Sequence, residues 1–219
     1  SLLDDLKIFT DSSRKAFIPH PVYEQFGEAV DRKEAADRLG LDPSLKYLLF
    51  FGIIRKYKGL DLLIRAFAEM RYRVPDLRLI VAGEFYAGEK DYMDLINESG
   101  LGDRVIVRGH FIPSSKVRLY FSLADLVTQP YRSATQSGVS QVAYHFGVPM
   151  LVTDVGGLAE IVPHMKVGYV TPPDEHEIAA AITDFFKNER AAFFREKIWT
   201  ERNRFSYEAM TALILTMAK

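Results

Sequence analysis

In the stretch Tyr47-Leu48-Leu49-Phe50-Phe51-Gly52-Ile53-Ile54-Arg55-Lys56-Tyr57-Lys58-Gly59-Leu60-Asp61-Leu62-Leu63-Ile64, a continuous apolar run gives way, across one glycine-bounded loop, to a helical repeat. The run is unbroken rather than alternating, as expected of a parallel strand covered on both faces. Beyond Gly59, Leu60, Leu63, Ile64, Phe67 and Met70 recur at helical spacing, and Asp61, Arg65, Glu69 and Arg71 fill the other side. The same change of period recurs along the chain. Short apolar runs at 47–51, 77–82, 105–107, 126–128, 150–153 and 168–170 are each followed by a helical pattern, the later ones near 91–98, 115–123, 137–146 and 175–186. This predicts an α/β protein with a doubly wound, Rossmann-like parallel sheet of about six strands. Two further helical stretches, 189–202 and 206–218, follow no strand. The expected organisation is a lead-in over residues 1–20, a Rossmann-like domain over 21–188 and C-terminal helices over 189–219.

Composition bounds the function. The 219 residues are 48% hydrophobic and 26% charged, an ordinary globular balance. The 28 Lys+Arg nearly cancel 29 Asp+Glu, so no global field draws the chain to nucleic acid or to a membrane, and any anion site must be local. Six basic residues between Arg55 and Arg73 are expected to be partly paired by Asp61 and Glu69, and no stacking platform for bases accompanies them. With no cysteine, disulfides and thiolate metal sites are excluded. No run approaches the ~20 apolar residues of a membrane span. A cytoplasmic location, at most peripheral to the inner face of a membrane, is the expectation. The five histidines show no metal-binding spacing, and His110 is not expected to be a catalytic base or a metal ligand.

In open parallel sheets ligands bind where strands lead into helices. Three such exits stand out. The first, 52–59, sets Arg55, Lys56 and Lys58 beside a helix start, with Gly52 and Gly59 allowing tight turns. It matches neither the P-loop nor the dinucleotide pattern, and spacing alone leaves a diphosphate site and a solvated basic loop both open. The second is Pro130-Tyr131-Arg132-Ser133-Ala134-Thr135-Gln136-Ser137-Gly138-Val139, where Ser137 is either a simple N-cap or part of an anion site built from backbone amides. The third, Asp154-Val155-Gly156-Gly157-Leu158-Ala159-Glu160, is either a plain turn or brings more amides to the same crevice.

Taken together with Leu79-Ile80-Val81-Ala82-Gly83, Val107 and Gly109, Ala124-Asp125-Leu126, and Gly147-Val148-Pro149, these strings resemble the C-terminal, donor-binding domain of a family 4 (group 1) glycosyltransferase of the GT-B fold. The resemblance covers residues 16–218. It implies one half of a GT-B enzyme, with the acceptor glycan or lipid bound through an N-terminal domain outside this chain. The isolated half would then bind donor but transfer little. It implies a nucleoside-diphosphate sugar as donor substrate, UDP first and GDP or ADP as alternatives, with no cofactor. It also implies transfer with retention and without a metal; no Asp-x-Asp occurs.

By the same resemblance, Lys58 matches a family lysine that stabilises the leaving diphosphate. The companion arginine would directly follow Gly52, where this chain has Ile53, and its role is transferred to Arg55. Gly52, Gly59, Gln136, Ser137, Gly138, Val139, Gly156, Gly157 and Glu160 complete the expected donor site, with Gly109, His110 and Phe111 near the base. Glu160 either contacts the sugar, the favoured role, or charges the first turn of its helix. Two family glutamates are replaced by Ala134 and Val142, and Gln136, Gln141 and Tyr144 are the polar side chains near enough in sequence to substitute. That departure keeps open a non-catalytic nucleotide-sugar-binding module. Another sugar-nucleotide enzyme, such as an epimerase, would reuse the same loops.

Overall fold

The computed structural model describes residues 19–217. The six apolar runs are strands β1 (Lys46–Phe51), β2 (Leu77–Ala82), β3 (Val105–Arg108), β4 (Leu126–Gln129), β5 (Met150–Thr153) and β6 (Gly168–Thr171). They form one sheet in the order β3-β2-β1-β4-β5-β6, every neighbouring pair parallel. Each strand sends alternate side chains to opposite faces. Tyr47, Leu49, Ile80, Val127 and Val152 join one core, and Leu48, Phe50, Leu79, Val81 and Leu151 join the other. That double burial is why the strands read as unbroken apolar runs.

Helices α1 (Arg32–Leu39), α4 (Ser114–Leu123) and α5 (Gly138–Phe146) cover the first face. The second is covered by α2 (Leu60–Met70), α3 (Glu89–Glu98) and α7 (Glu175–Lys187), with Leu63, Ile64, Phe67 and Ile182 fully buried. Each such side chain contributes roughly 1.5–3 kcal/mol of transfer free energy. A short α6 (Leu158–Ile161) follows β5. Helix α8 (Ala191–Glu201) links the two cores: Phe194 belongs to the second, Ile198 and the following Phe205 to the first. Helix α9 (Tyr207–Met217) leaves Ile214 and Leu215 exposed.

Helix α1 was not expected from the sequence. Only Ala35 and Ala36 of its eight residues are buried, so it has almost no apolar period. Its signal is in the caps: the Asp31 side chain accepts from the amides of Lys33 and Glu34, and Gly40 closes the other end with φ 68°. Arg32 then ties α1 to the sheet, donating to both oxygens of Asp125 at 3.1 and 3.2 Å, while Asp125 accepts from the Tyr47 amide at 2.8 Å. Most of the expected lead-in lies outside the described residues, and the part within them, 19–20, is neither helix nor strand.

The direction of winding reverses between β1 and β4, and there the two exit loops meet at backbone distance. Gly59 has φ 67°, and a Cβ at this position would fall 1.9 Å from the Pro130 carbonyl oxygen. Gly40 has nearly the same φ, 68°, with nothing within 4 Å. The pair separates conformational strain from collision. Gly40→Ala should cost about 1 kcal/mol, or a midpoint lowered by roughly 2–4 °C. Gly59→Ala must also push two loops apart and should cost about 3 kcal/mol or more. Equal midpoints for the two variants in thermal unfolding would contradict the collision.

Candidate functional site

Separation of the chain at the β1/β4 reversal opens a cleft of about 730 Å³. Its walls are the β1 exit loop, residues 131–137 after β4, the first turn of α5 and residues 23–26. Of the residues singled out in the sequence, Gly52, Lys58, Gln136, Ser137, Gly138 and Val139 line it together. Gly59 lies just behind, as the N-cap of α2.

Gly52 gives Lys58 its room. A Cβ on Gly52 would stand 3.3 Å from Lys58 Nζ and 3.7 Å from a methyl of Val139, so the amine and the first turn of α5 converge on one point. Lys58 Nζ also lies 5.6 Å from the centre of the Tyr131 ring, and no carboxylate pairs with it among the described residues. Burial, reinforced by the nearby Arg55 charge, lowers the Lys58 amine to about 8. Tyr131 is itself buried, its hydroxyl 3.4 Å from Ser137 Oγ, and burial pushes it up to about 12.

Ser137 occupies the N-cap of α5, but its side chain makes no capping bond. The Ser140 amide donates to the Ser137 carbonyl at 3.2 Å, but no side chain caps the amides that open α5, which lie beside a lysine at the positive end of the helix dipole. Tyr23 closes this end, its ring carbon 3.0 Å from where a Cβ on Gly138 would sit. The β5 exit is laid against the β4 exit: a Cβ on Gly156, at φ 55°, would fall 1.5 Å from the Ala134 carbonyl, and the Gly157 amide donates to Thr135 at 3.1 Å.

Other expected residues stand apart from this cleft. Arg55 is exposed, its guanidinium 4.4 Å from the Tyr86 ring centre, and lines a second cavity of about 680 Å³ between α2 and α3. The three cations of the first loop thus do not point at one place. Glu160 lines a smaller hollow with Pro19, Arg204 and Phe205. His110 and Phe111 are exposed on the β3 exit, and Gly109 abuts Phe85 of the β2 exit, a Cβ there being 2.9 Å from the ring. Ala134 and Val142, where the family glutamates would fall, do line the cleft, as apolar wall. Of the three candidate substitutes only Gln136 reaches it, and its Oε1 accepts from the His20 amide at 3.0 Å. Gln141 is fully buried with neither amide atom bonded, and the Tyr144 hydroxyl is spent on the Ile161 carbonyl at 2.7 Å.

Tyr23, Phe26 and Tyr131 are wall residues that the sequence did not single out. Tyr131 was visible inside the second loop string, whereas nothing local marks Tyr23 or Phe26, which arrive from more than one hundred positions away. Among the described residues, no group of three His, Asp or Glu is placed to hold a metal, and no helix is long and apolar enough to cross a membrane.

Asp61 corrects another expectation. It pairs with none of the basic residues in its own stretch but takes both Arg132 nitrogens, at 2.7 Å each, joining α2 to the β4 exit. The Arg132 amide adds a bond to the Tyr57 carbonyl at 2.7 Å. Burial pushes the Asp61 carboxyl up, but the bonds and charge of Arg132 outweigh it and hold the group below the usual carboxylate range. A depressed carboxyl stabilises above its unfolded pKa and loses that contribution as pH falls through the folded one. Because the pair is partly exposed, Arg132→Ala should cost about 1 kcal/mol at pH 7. In denaturant titrations the gap from wild type should close as pH falls below about 4; a gap independent of pH would contradict the pairing.

With this geometry in hand, comparison places the chain among known proteins. Residues 31–210 match the model of the family described as glycosyl transferases group 1. The chain is 32% identical over 152 residues to the D-inositol 3-phosphate glycosyltransferase of Pseudarthrobacter chlorophenolicus, covering 68% of this chain and 35% of that one. It is 31% identical over 143 residues to the lipopolysaccharide core biosynthesis mannosyltransferase LpsB of Rhizobium meliloti, covering 64% and 40%. The chain thus spans well under half the length of these relatives. Among solved structures, the C-terminal domain of the group 1 protein LpcC from Francisella tularensis superposes with TM-score 0.73 at 18% identity, covering 84% of this chain and 97% of that one. Anabaena HepE in complex with UDP does so with TM-score 0.75 at 22% identity, covering 90% and 56%. The fold is the Rossmann-like unit of these glycosyltransferases, and with the family match running from α1 into α9 the chain belongs to the group 1 glycosyltransferases.

Proposed function

We propose that this chain is the C-terminal, donor-binding half of a retaining, metal-independent GT-B glycosyltransferase of family 4. It binds a nucleoside-diphosphate sugar, UDP-linked first and GDP- or ADP-linked as alternatives, for transfer to a glycan, lipid or small-molecule acceptor held by another domain. One observation carries the reading: a half-desolvated lysine and an uncapped helix start converge beside Gly52, in a cleft at the switch point of the sheet. Lys58 and the α5 amides meet the charge that develops on the leaving diphosphate, in a partly dry site where each interaction is strengthened. HepE, of the same fold, has been solved with UDP, and the LpcC C-terminal domain has nearly the extent of this chain.

The apolar side chains of Ala134 and Val142 in the cleft favour a second reading, a module that binds the nucleotide sugar without transferring it. Transfer assayed in the full-length protein, with Lys58→Ala as the control, separates the two.

Two measurements test the donor site. In thermal unfolding with UDP, GDP, ADP and their sugar conjugates, a ligand at 100 times its Kd adds about 2.7 kcal/mol and should raise the midpoint by roughly 5–11 °C. Lys58→Ala should abolish that shift. No shift with any nucleotide in the folded wild type, or an equal shift in the variant, would sink the assignment.

The second measurement is pH dependence. An anion binds the protonated amine, so affinity should hold below about pH 8 and fall as pH rises through the Lys58 pKa, with proton uptake on binding visible in calorimetry. The sign for the free protein is opposite. A lysine lowered on folding opposes stability while protonated in both states, and that penalty fades as pH rises from about 8 towards the unfolded value of about 10.4. Lys58→Met should therefore stabilise the nucleotide-free protein at pH 7 while destroying nucleotide binding. A variant that is less stable at pH 7 would contradict the buried-charge account.

A further inference from the structure

Arg55 is an exposed arginine on a surface loop, with no carboxylate partner among the described residues. Such a side chain would ordinarily spread over many rotamers, and binding an anion would then have to freeze it. Here it has one defined neighbour, the Tyr86 ring, 4.4 Å from the guanidinium carbon. Tyr86 is 71% exposed, so packing does not account for a large aromatic at that position.

The backbone accounts for the encounter. Ile54, fully buried, donates to the Glu84 carbonyl at 2.8 Å and accepts from the Tyr86 amide at 3.0 Å, and Ile54 and Phe85 form an isolated parallel bridge. The residue before Arg55 is thus stitched to the two residues before Tyr86 and to Tyr86 itself. Both side chains line the second cavity, between α2 and α3. Lys56, Arg65, Asp61, Asp91, Asp94 and Glu98 also line that cavity; Asp61 is taken by Arg132 and Asp94 by Lys90.

We propose that Tyr86 is the positioning residue for Arg55: stacking on its ring keeps the guanidinium ordered beside the loop that carries Lys58. The role rests on the reading of Arg55 as a ligand of the donor diphosphate. The stack supplies preorganisation, and Tyr86 itself touches neither nucleotide nor reacting atoms. The Arg55 charge adds to burial in lowering the Lys58 amine. The groups around that amine are Arg55, the Tyr131 ring and, beyond it, Tyr57, whose ring centre is 6.1 Å from that of Tyr131.

The experiment compares wild type, Tyr86→Phe, Tyr86→Leu, Arg55→Ala and the double variant Arg55→Ala/Tyr86→Leu. Two quantities are read: the Kd for UDP, with GDP and ADP as parallel arms, and the titration of the Lys58 amine followed by NMR in nucleotide-free protein. Tyr86→Leu should weaken binding about two- to fivefold and move the Lys58 titration upward. Tyr86→Phe, which keeps the ring, should restore both. In the Arg55→Ala background the leucine substitution should add nothing to either. A Tyr86→Leu effect of equal size without Arg55, or a Lys58 titration unmoved by Tyr86→Leu, overturns the proposal. If wild type binds no nucleotide, the donor-site reading fails, and the amine titration still decides whether Tyr86 positions Arg55.

Discussion

The molecule is organised around a place where no carbon atom fits. At the reversal of the sheet, Gly59 and the Pro130 carbonyl pass so closely that any side chain at residue 59 would collide with backbone. This contact sets the height of the β1 exit relative to the β4 exit, and those two exits are the floor and wall of the cleft. The Asp61–Arg132 pair and the bond from the Arg132 amide to Tyr57 hold the same junction from outside. Gly156 against the Ala134 carbonyl repeats the device one strand further along. A site assembled from backbone approaches has little freedom to adjust, which suits one that recognises an anion by fixed dipoles and amides.

The second constraint is dielectric. Ala134 and Val142 give the cleft an apolar wall, and among the described residues no carboxylate pairs with the partly buried Lys58. Both features favour a bound diphosphate, because no neighbouring anion competes for the amine. They act against the free protein, because among the described residues the charged amine has no carboxylate to pair it. Nearby buried polar groups differ: Tyr131 is matched to Ser137 and Thr153 Oγ1 to the Tyr131 carbonyl, so the wall is rigid where Lys58 is not compensated.

Much of the fold was legible because burial on two faces writes itself as unbroken apolar runs, and the strand bounds differ from those runs by a residue or so at the ends. Helix α1 was not, since it is held by Asp31, Gly40 and the Arg32–Asp125 bonds rather than by an apolar stripe. In the site, glycines and Lys58 could be found because their roles are local: a turn, a close approach, a charge beside a helix start. Direction could not. Arg55 and Lys58 are three positions apart, yet one faces the α2–α3 cavity and the other the cleft, because Ile54 is pulled toward the β2 exit and the turn Lys56–Lys58 rotates the chain between them. Tyr23 was hidden for a different reason, as its position against Gly138 depends on a segment that crosses from the far side of the chain.

The resemblance expects a cation directly after Gly52, and that role is proposed for Arg55, which a different strand exit holds. At the position after Gly52, Ile53 is half exposed. At Arg55 the β2 exit supplies both the backbone stitch and the aromatic surface. The loop therefore has a second anchor outside the β1/β4 junction, and the two anchors divide its work: Gly59 and Asp61 fix where Lys58 enters the cleft, while Ile54 and Tyr86 fix where Arg55 leaves it. A loop tied at both ends in this way sets two cations, three positions apart, in two different cavities.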